Sequence, residues 1–259
     1  MKPTLAIHKF TSCDGCQLAF LNLGEQLLEL FELVDIVHFT EAGVIDPEAP
    51  VDIACVEGSI STPHELERIR LIRANSKYLV AIGACATSGG LQALRNGAHG
   101  AEWLSQIYAS PQHIATLAES TAIAKHVKVD LELWGCPVSG RQVLAALRDR
   151  LFGIAPLQQA DKVCAECKRS NTVCVLVTQG VPCMGPVTRT GCGALCPSFG
   201  RDCYACYGPA ENSNAAALAR RFSGLGLMPA EIARRFRFIN SAAPAFAQVW
   251  QEADEKDRK

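Results

Sequence analysis

The sequence is short of the features that would set a function class at once. No apolar run approaches the ~20 residues that span a bilayer. Neither charge dominates, with 25 Lys and Arg against 26 Asp and Glu and a net charge of −1, so a polyanion-binding surface, and nucleic acid as a partner, are not expected. The opening residues run straight into a strand-like segment with neither an apolar signal core nor a twin-arginine pair, which makes the cytoplasm the expected compartment. There is no fixed-period repeat, no low-complexity tract and no Gly-x-Gly-x-x-Gly dinucleotide fingerprint.

What is abundant is cysteine: thirteen in 259 residues. In a reducing compartment so many thiols are not kept for disulfides, and the count is odd. A chain with 49% hydrophobic residues builds an ordinary core without covalent staples. Metal ligation is the remaining common reason, and twelve of the thirteen fall into three sets of four.

The first part of the chain alternates strand and helix patterns. Thr4–Phe10, Val34–Phe39, Val51–Val56, Tyr78–Ile82 and Val129–Leu133 are short apolar runs that read as strands. Between them, Leu18–Leu33 carries Leu18, Leu21, Leu27, Leu28 and Phe31 at helical spacing. Thr62, Pro63 and Glu65 form a helix start, with a helix to about Ala74. The stretch after the fourth strand reads as irregular to Ser110, Pro111–His126 as helical, and Gly140–Leu151 as a helix. Five apolar strands separated by helices predict an α/β fold, a flavodoxin-like doubly wound parallel sheet, here assigned to residues 1–155. Residues 156–259 read as a small loop-rich domain. Val173–Val177 is its clearest apolar run, Ala215–Phe222 and Pro229–Phe238 are predicted helices, and Glu252–Lys259 is a charged tail expected to fray. The region from Cys164 to Cys206 buries too little by itself and needs something covalent to order it.

Cys13 and Cys16 follow the first strand, Cys85 the fourth and Cys136 the fifth, just before Pro137. In a parallel sheet these thiols emerge together at the carboxyl edge, where open α/β sheets place their ligands. Four thiolates at one point suit a 4Fe–4S cluster or a structural zinc. One close pair joined by two distant cysteines is unlike the two close pairs of most zinc knuckles, and a C-x-x-C redox dithiol would leave Cys85 and Cys136 unexplained. Glu57 ends the third strand at the same edge, where it is either a carboxylate that tunes the site or moves protons, or a solvated loop residue or cap. The other eight cysteines read Cys164-x2-Cys167-x6-Cys174-x8-Cys183, then Cys192-x3-Cys196-x6-Cys203-x2-Cys206. Chain order divides them into two sets of four, whereas a zinc ribbon would pair Cys164 and Cys167 with Cys203 and Cys206. Cys55, inside the third strand, is expected as a small core hydrophobe. Arg234-Arg235-Phe236-Arg237-Phe238 reads as a solvated helix face with two core phenylalanines, and His64, His99 and His126 as ordinary surface or loop residues.

Thr11-Ser12-Cys13-Asp14-Gly15-Cys16-Gln17, Val56-Glu57-Gly58, Ile82-Gly83-Ala84-Cys85 and Gly135-Cys136-Pro137 together resemble the small subunit of nickel–iron hydrogenases. Pro182 to Thr188 and Gly191 to Pro197 resemble its cofactor-linked group, in particular the delta subunits of NAD(P)-linked hydrogenases, also called sulfhydrogenases. The resemblance spans roughly residues 3 to 210 and implies three 4Fe–4S clusters. Cys13, Cys16, Cys85 and Cys136 would hold the proximal one, Cys192, Cys196, Cys203 and Cys206 the medial, and Cys164, Cys167, Cys174 and Cys183 the distal. Membrane-bound relatives have a histidine where Cys164 stands and a proline where Cys196 stands, so thiolates here fill both places. The same resemblance implies a nickel–iron centre on a large-subunit partner, flavin and NAD(P) on a further partner, ferredoxin-like electron-transfer subunits, and no catalytic residue in this chain. The alternatives are a small subunit linked to deazaflavin or heterodisulfide reductase, a zinc-stabilised interaction module, and a self-sufficient redox enzyme. The cluster subunit of complex I has adjacent cysteines in its first motif, unlike Cys13 and Cys16.

Overall fold

The computed structural model describes residues 2–97, 100–157 and 161–258, and the chain divides into two compact units, Met1–Pro156 and Leu157–Lys259. The first is built on five strands: β1 (Thr4–Lys9), β2 (Asp35–Phe39), β3 (Val51–Glu57), β4 (Ser76–Ile82) and β5 (Leu131–Leu133). They lie in the order β2-β1-β3-β4-β5, every pair parallel. That is the flavodoxin-like order, in which β1 and β3 flank the point where the winding reverses.

Alternation along the strands splits the core in two. Leu5, Ile7, Ile53, Cys55, Val80 and Ile82 point to one face, Ala6, Ala54, Val56, Leu79 and Ala81 to the other. The first face is covered by α1 (Gly15–Leu21), α2 (Glu25–Leu33) and, later in the chain, the helix Gly140–Leu151, through Phe20, Leu27, Leu30, Val143, Leu144 and Leu147. The second is covered by α3 (Pro63–Ala74) through Ile69 and Ile72. Both faces are buried, which is why the strands read as near-continuous apolar runs. Cys55 is fully buried in the first cluster, where burial pushes its thiol up to about 12.

Helix α3 starts with the capping box expected at Thr62: its hydroxyl accepts the Glu65 N–H at 3.2 Å, and Glu65 Oε2 accepts the Thr62 N–H at 3.0 Å. The helix expected over Leu18–Leu33 is instead two helices broken at Gly24, and Leu18, Leu28 and Phe31 face outward while Phe20, Leu27 and Leu30 fill the core. After β4 come α4 (Gly83–Ser88), a 3₁₀ stretch at Gly90–Gly97 and α5 (Gly100–Ile107), a region expected to be irregular. Pro111–His126, expected to be helical, holds only 3₁₀ turns at Pro111–His113 and Ile123–Lys125. Its backbone bonds elsewhere: Thr121 and Ile60 exchange N–H···O bonds, and the Leu117 N–H donates to Ser61 O. Helix α6 (Gly140–Leu151) matches its expectation and closes the unit.

In the second unit, α7 (Val163–Arg169), α8 (Val175–Thr178) and α9 (Leu195–Ser198) are short pieces among the cysteines. Longer helices follow: α10 (Ala215–Gly224), α11 (Pro229–Arg237) and α12 (Pro244–Asp257). Phe222, Phe236 and Phe246 meet between them, with ring centroids 6.2 and 5.6 Å apart. The tail is helical through Asp257, held by Phe246, Val249 and Ala253 on its buried side. Of the two phenylalanines expected in the core of the arginine-rich helix, Phe236 is buried and Phe238 is exposed. Arg235 pairs with Asp202, and Arg237 lies over the Trp250 ring. Among the described residues, no helix is long and apolar enough to cross a membrane.

Candidate metal centres

All five strands point the same way, so the loops that leave β1, β3, β4 and β5 share one edge. Cys13 and Cys16 stand at the entry to α1, Cys85 in the first turn of α4, and Cys136 in the turn after β5. The turns are tied together: the Ala84 N–H donates to Gly135 O at 2.7 Å, which links the Cys85 turn to the Cys136 turn. Their thiols feel one another. Burial raises Cys16, Cys85 and Cys136 above the ordinary thiol range. Like charge adds to this, from Cys85 and Cys136 at Cys16, from Cys136 and Cys13 at Cys85, and from Cys13 at Cys136. Cys85 is pushed up to about 12.

Two glycines keep the space between the thiols open. Gly83, at φ 85°, leaves no room for a side chain, because a Cβ there would run into Cys16 Sγ. Gly90, at φ 58°, would place a Cβ 2.6 Å from Cys85 Sγ. A metal group bound by sulfur removes the proton that burial otherwise retains, so the exposed Cys13 and the half-buried Cys16, Cys85 and Cys136 at one sheet edge suit metal ligation.

Glu57 is neither solvated nor idle. It is 1% exposed and accepts hydrogen bonds from the Gln17 N–H at 3.1 Å, from Gln17 Nε2 at 3.3 Å and from the Ser12 hydroxyl at 3.1 Å. It thus caps the first turn of α1 from across the edge and fixes the segment that carries Cys13 and Cys16. Burial raises its carboxyl above the usual range, against the pull of these hydrogen bonds. The partner Gln17, fully buried, carries no metal-ligand signal in the sequence; only its place directly after Cys16 could have drawn attention to it.

In the second unit, Cys164, Cys167, Cys174 and Cys183 fall within one another's electrostatic reach. Beyond burial, the largest influences on Cys164 are Cys183 and Cys174, and Cys167, pushed up to about 11, responds to Cys164, Cys183 and Cys174. A Cβ on Gly185 would lie 3.5 Å from both Cys164 Sγ and Cys183 Sγ. Cys203 is influenced by Cys183 and Cys206, and its N–H donates to Cys183 Sγ at 3.2 Å. Cys167 also feels Cys192, and the Cys203 N–H contact with Cys183 crosses the chain-order division, so the two groups of cysteines lie against each other. Sulfur acceptors are satisfied by backbone elsewhere too: the Ala205 N–H reaches Cys203 Sγ at 3.4 Å. Among the described residues, no three His, Cys, Asp or Glu side chains converge closely enough to hold a single ion. The donor set, thiols alone, fits iron–sulfur clusters, whose ligands surround a cage larger than one ion.

His64 is exposed, and His126, half-buried, meets the Thr121 hydroxyl at 2.7 Å. His99 lies outside the described residues.

Comparison with known proteins gives this chemistry a context. The family described as NADH ubiquinone oxidoreductase, 20 Kd subunit, matches residues 13–149. The sulfhydrogenase 2 subunit delta of Pyrococcus furiosus is 35% identical over 90% of this chain and 97% of its own length. A vhu subunit of the F420-non-reducing hydrogenase of Methanocaldococcus jannaschii is 33% identical over 81% of this chain and 84% of its own. Among solved structures, a chain of an NAD+-reducing [NiFe]-hydrogenase in the H2-reduced state superposes with a TM-score of 0.55 at 30% identity, covering 61% of this chain and 95% of that one.

Proposed function

Because the chain belongs to the family of the NADH ubiquinone oxidoreductase 20 Kd subunit and is, within it, a hydrogenase small subunit, we propose that it is the electron relay of a bidirectional nickel–iron hydrogenase. It carries three 4Fe–4S clusters. Cys13, Cys16, Cys85 and Cys136 hold the proximal cluster, Cys192, Cys196, Cys203 and Cys206 the medial, and Cys164, Cys167, Cys174 and Cys183 the distal. The large subunit it packs against holds the nickel–iron centre, and flavin and NAD(P) belong to a further partner with ferredoxin-like subunits, all in the cytoplasm. The observation that supports the reading is that Cys13, Cys16, Cys85 and Cys136 lie on three separate turns at the carboxyl edge of the sheet, with Gly83 beside Cys16 and Gly90 beside Cys85.

Clusters supply one-electron acceptors and donors. The chain's own residues do the rest. The cysteines bind as thiolates, Glu57 and Gln17 hold the α1 entry in place, and backbone N–H groups directed at Cys183 and Cys203 sulfur stabilise negative charge there. Apolar packing around Cys183 and Cys203 excludes water. No residue here makes or breaks a substrate bond.

Iron and acid-labile sulfide measured on the anaerobically purified complex test this. Three clusters give about twelve irons per chain with matching sulfide; zinc without sulfide overturns the reading. A second reading, a deazaflavin- or heterodisulfide-reductase-linked subunit, changes only the terminal acceptor, and the likeness to the F420-non-reducing hydrogenase of Methanocaldococcus jannaschii supports an acceptor other than NAD(P) without supporting the deazaflavin arm. Assay of the complex with NAD, NADP, deazaflavin and heterodisulfide reductase separates the two.

A further inference from the structure

Glu166 lies between Cys164 and Cys167 on α7, yet its carboxylate serves a different cysteine segment. Oε1 accepts the Gly191 N–H at 2.8 Å, Oε2 accepts the Ala194 N–H at 3.0 Å, and Cys192 Sγ is 3.8 Å from Oε2. Both amides flank Cys192. Ala194 itself is fully buried and adopts a left-handed backbone, φ 54° and ψ 38°, which alanine avoids unless its surroundings impose it. The carboxylate is one of those surroundings, because it pins the residue's own N–H.

We propose that Glu166 is a positioning residue that locks the Gly191–Ala194 turn, so that a side chain inside one cysteine set shapes the Cys192 end of the next. The inference rests on the cluster reading above and deepens it. Glu57 gives a precedent in the first unit: a carboxylate from another segment accepts an amide beside Cys16 and fixes that cysteine pair. Glu166 goes further, since it accepts two amides around one ligand and also places a carboxylate beside the ligand's sulfur. Negative charge there opposes the arrival of an electron on the group that Cys192 holds, and so lowers its potential.

The test uses the anaerobically purified complex with wild-type, E166Q and E166A chains. It reads iron per chain, the EPR signal of each cluster and its midpoint potential, with C192S marking which signal belongs to the Cys192 set. E166A frees both amides and is expected to lose about one third of the iron, together with the signal that C192S removes. E166Q retains one acceptor oxygen without the charge. It is expected to keep its iron while the potential of that same cluster moves positive and the others stay. Wild-type iron and unmoved potentials in both variants overturn the proposal, and so does iron loss confined to the Cys164 set. Should E166A fail to assemble, E166Q decides: an unchanged potential overturns the proposal. Wild-type chains that hold zinc instead of iron remove the cluster reading, and this inference with it.

Discussion

The two units hold cysteines in opposite ways. In the first, a five-stranded sheet carries apolar clusters on both faces, and of the four thiols at its edge only Cys16 packs against one of them, none being among the buried residues. In the second, Cys183 and Cys203 are themselves buried members of the apolar core, with Cys167 and Cys192 packed against it. One unit presents a site; the other is partly made of its sites. The same ligand chemistry therefore carries different structural weight in each.

Metal removal should break the comparison most visibly. Chelation of iron from the anaerobic complex is expected to open residues 161–210 to protease and hydrogen exchange, while residues 4–82 stay protected, because metal binding there is folding free energy and in the sheet it is not. Equal loosening of both regions would erase the distinction.

A smaller, more local effect is expected from Gly83→Ala. The new Cβ meets Cys16 Sγ, and the positive φ adds strain of about 1–2 kcal/mol. The expected result is loss of the cluster held by Cys13, Cys16, Cys85 and Cys136, about one third of the iron, with the far-UV spectrum and the other two EPR signals intact.

The first unit also has a stability term of its own that involves no thiol. His8 and His38 stack at 4.7 Å, both buried. Burial, with the charges of His38 and Arg68, lowers the His8 pKa to about 3. The unfolded chain takes up this proton near pH 6.5 and the folded chain does not. Stability from His8 is thus complete above that pH and falls by up to about 1.4 kcal/mol per pH unit as pH drops below it. Denaturant unfolding of the first unit, followed between pH 7 and pH 5, should show this slope, and H8N should flatten it. An equal slope in H8N would assign the effect elsewhere.

The smallest effect belongs to the exposed Arg169–Asp161 pair at 2.6 Å. Arg169→Ala is expected to change stability by less than about 1 kcal/mol and to leave iron content alone. It provides a control for substitutions near the Cys164 set that act through charge on the surface.

Much of this was legible beforehand. The unbroken apolar runs Leu5–Ile7 and Ile53–Val56 announced a sheet buried on both faces, and Thr62-Pro63-His64-Glu65 spelled its own helix cap. Pro111–His126 misled because the backbone of Leu117 and Thr121 bonds to Ser61 and Ile60, far away in the chain, and local periodicity does not register this. The single helix expected over Leu18–Leu33 failed for a similar reason: Leu18, Leu28 and Phe31 make a plausible stripe, but the buried side is set by Phe20, Leu27 and Leu30 against the sheet. Glu57 could be located at the edge but not described, since its burial depends on Ser12 and Gln17 arriving from the neighbouring loop.

The sequence by itself determined that the chain is rich in metal-type thiols. Strand order then required that Cys13, Cys16, Cys85 and Cys136 share one edge, because parallel strands all end on the same side. Only the tertiary structure decided how those thiols are spaced and supported: by glycines at positive φ, by a buried Glu57, and by a Glu166 that reaches out of its own cysteine pair. Those are contacts between residues far apart in the chain. Their energies depend on burial and on partners brought in by folding, and neither is a property of any residue or spacing alone.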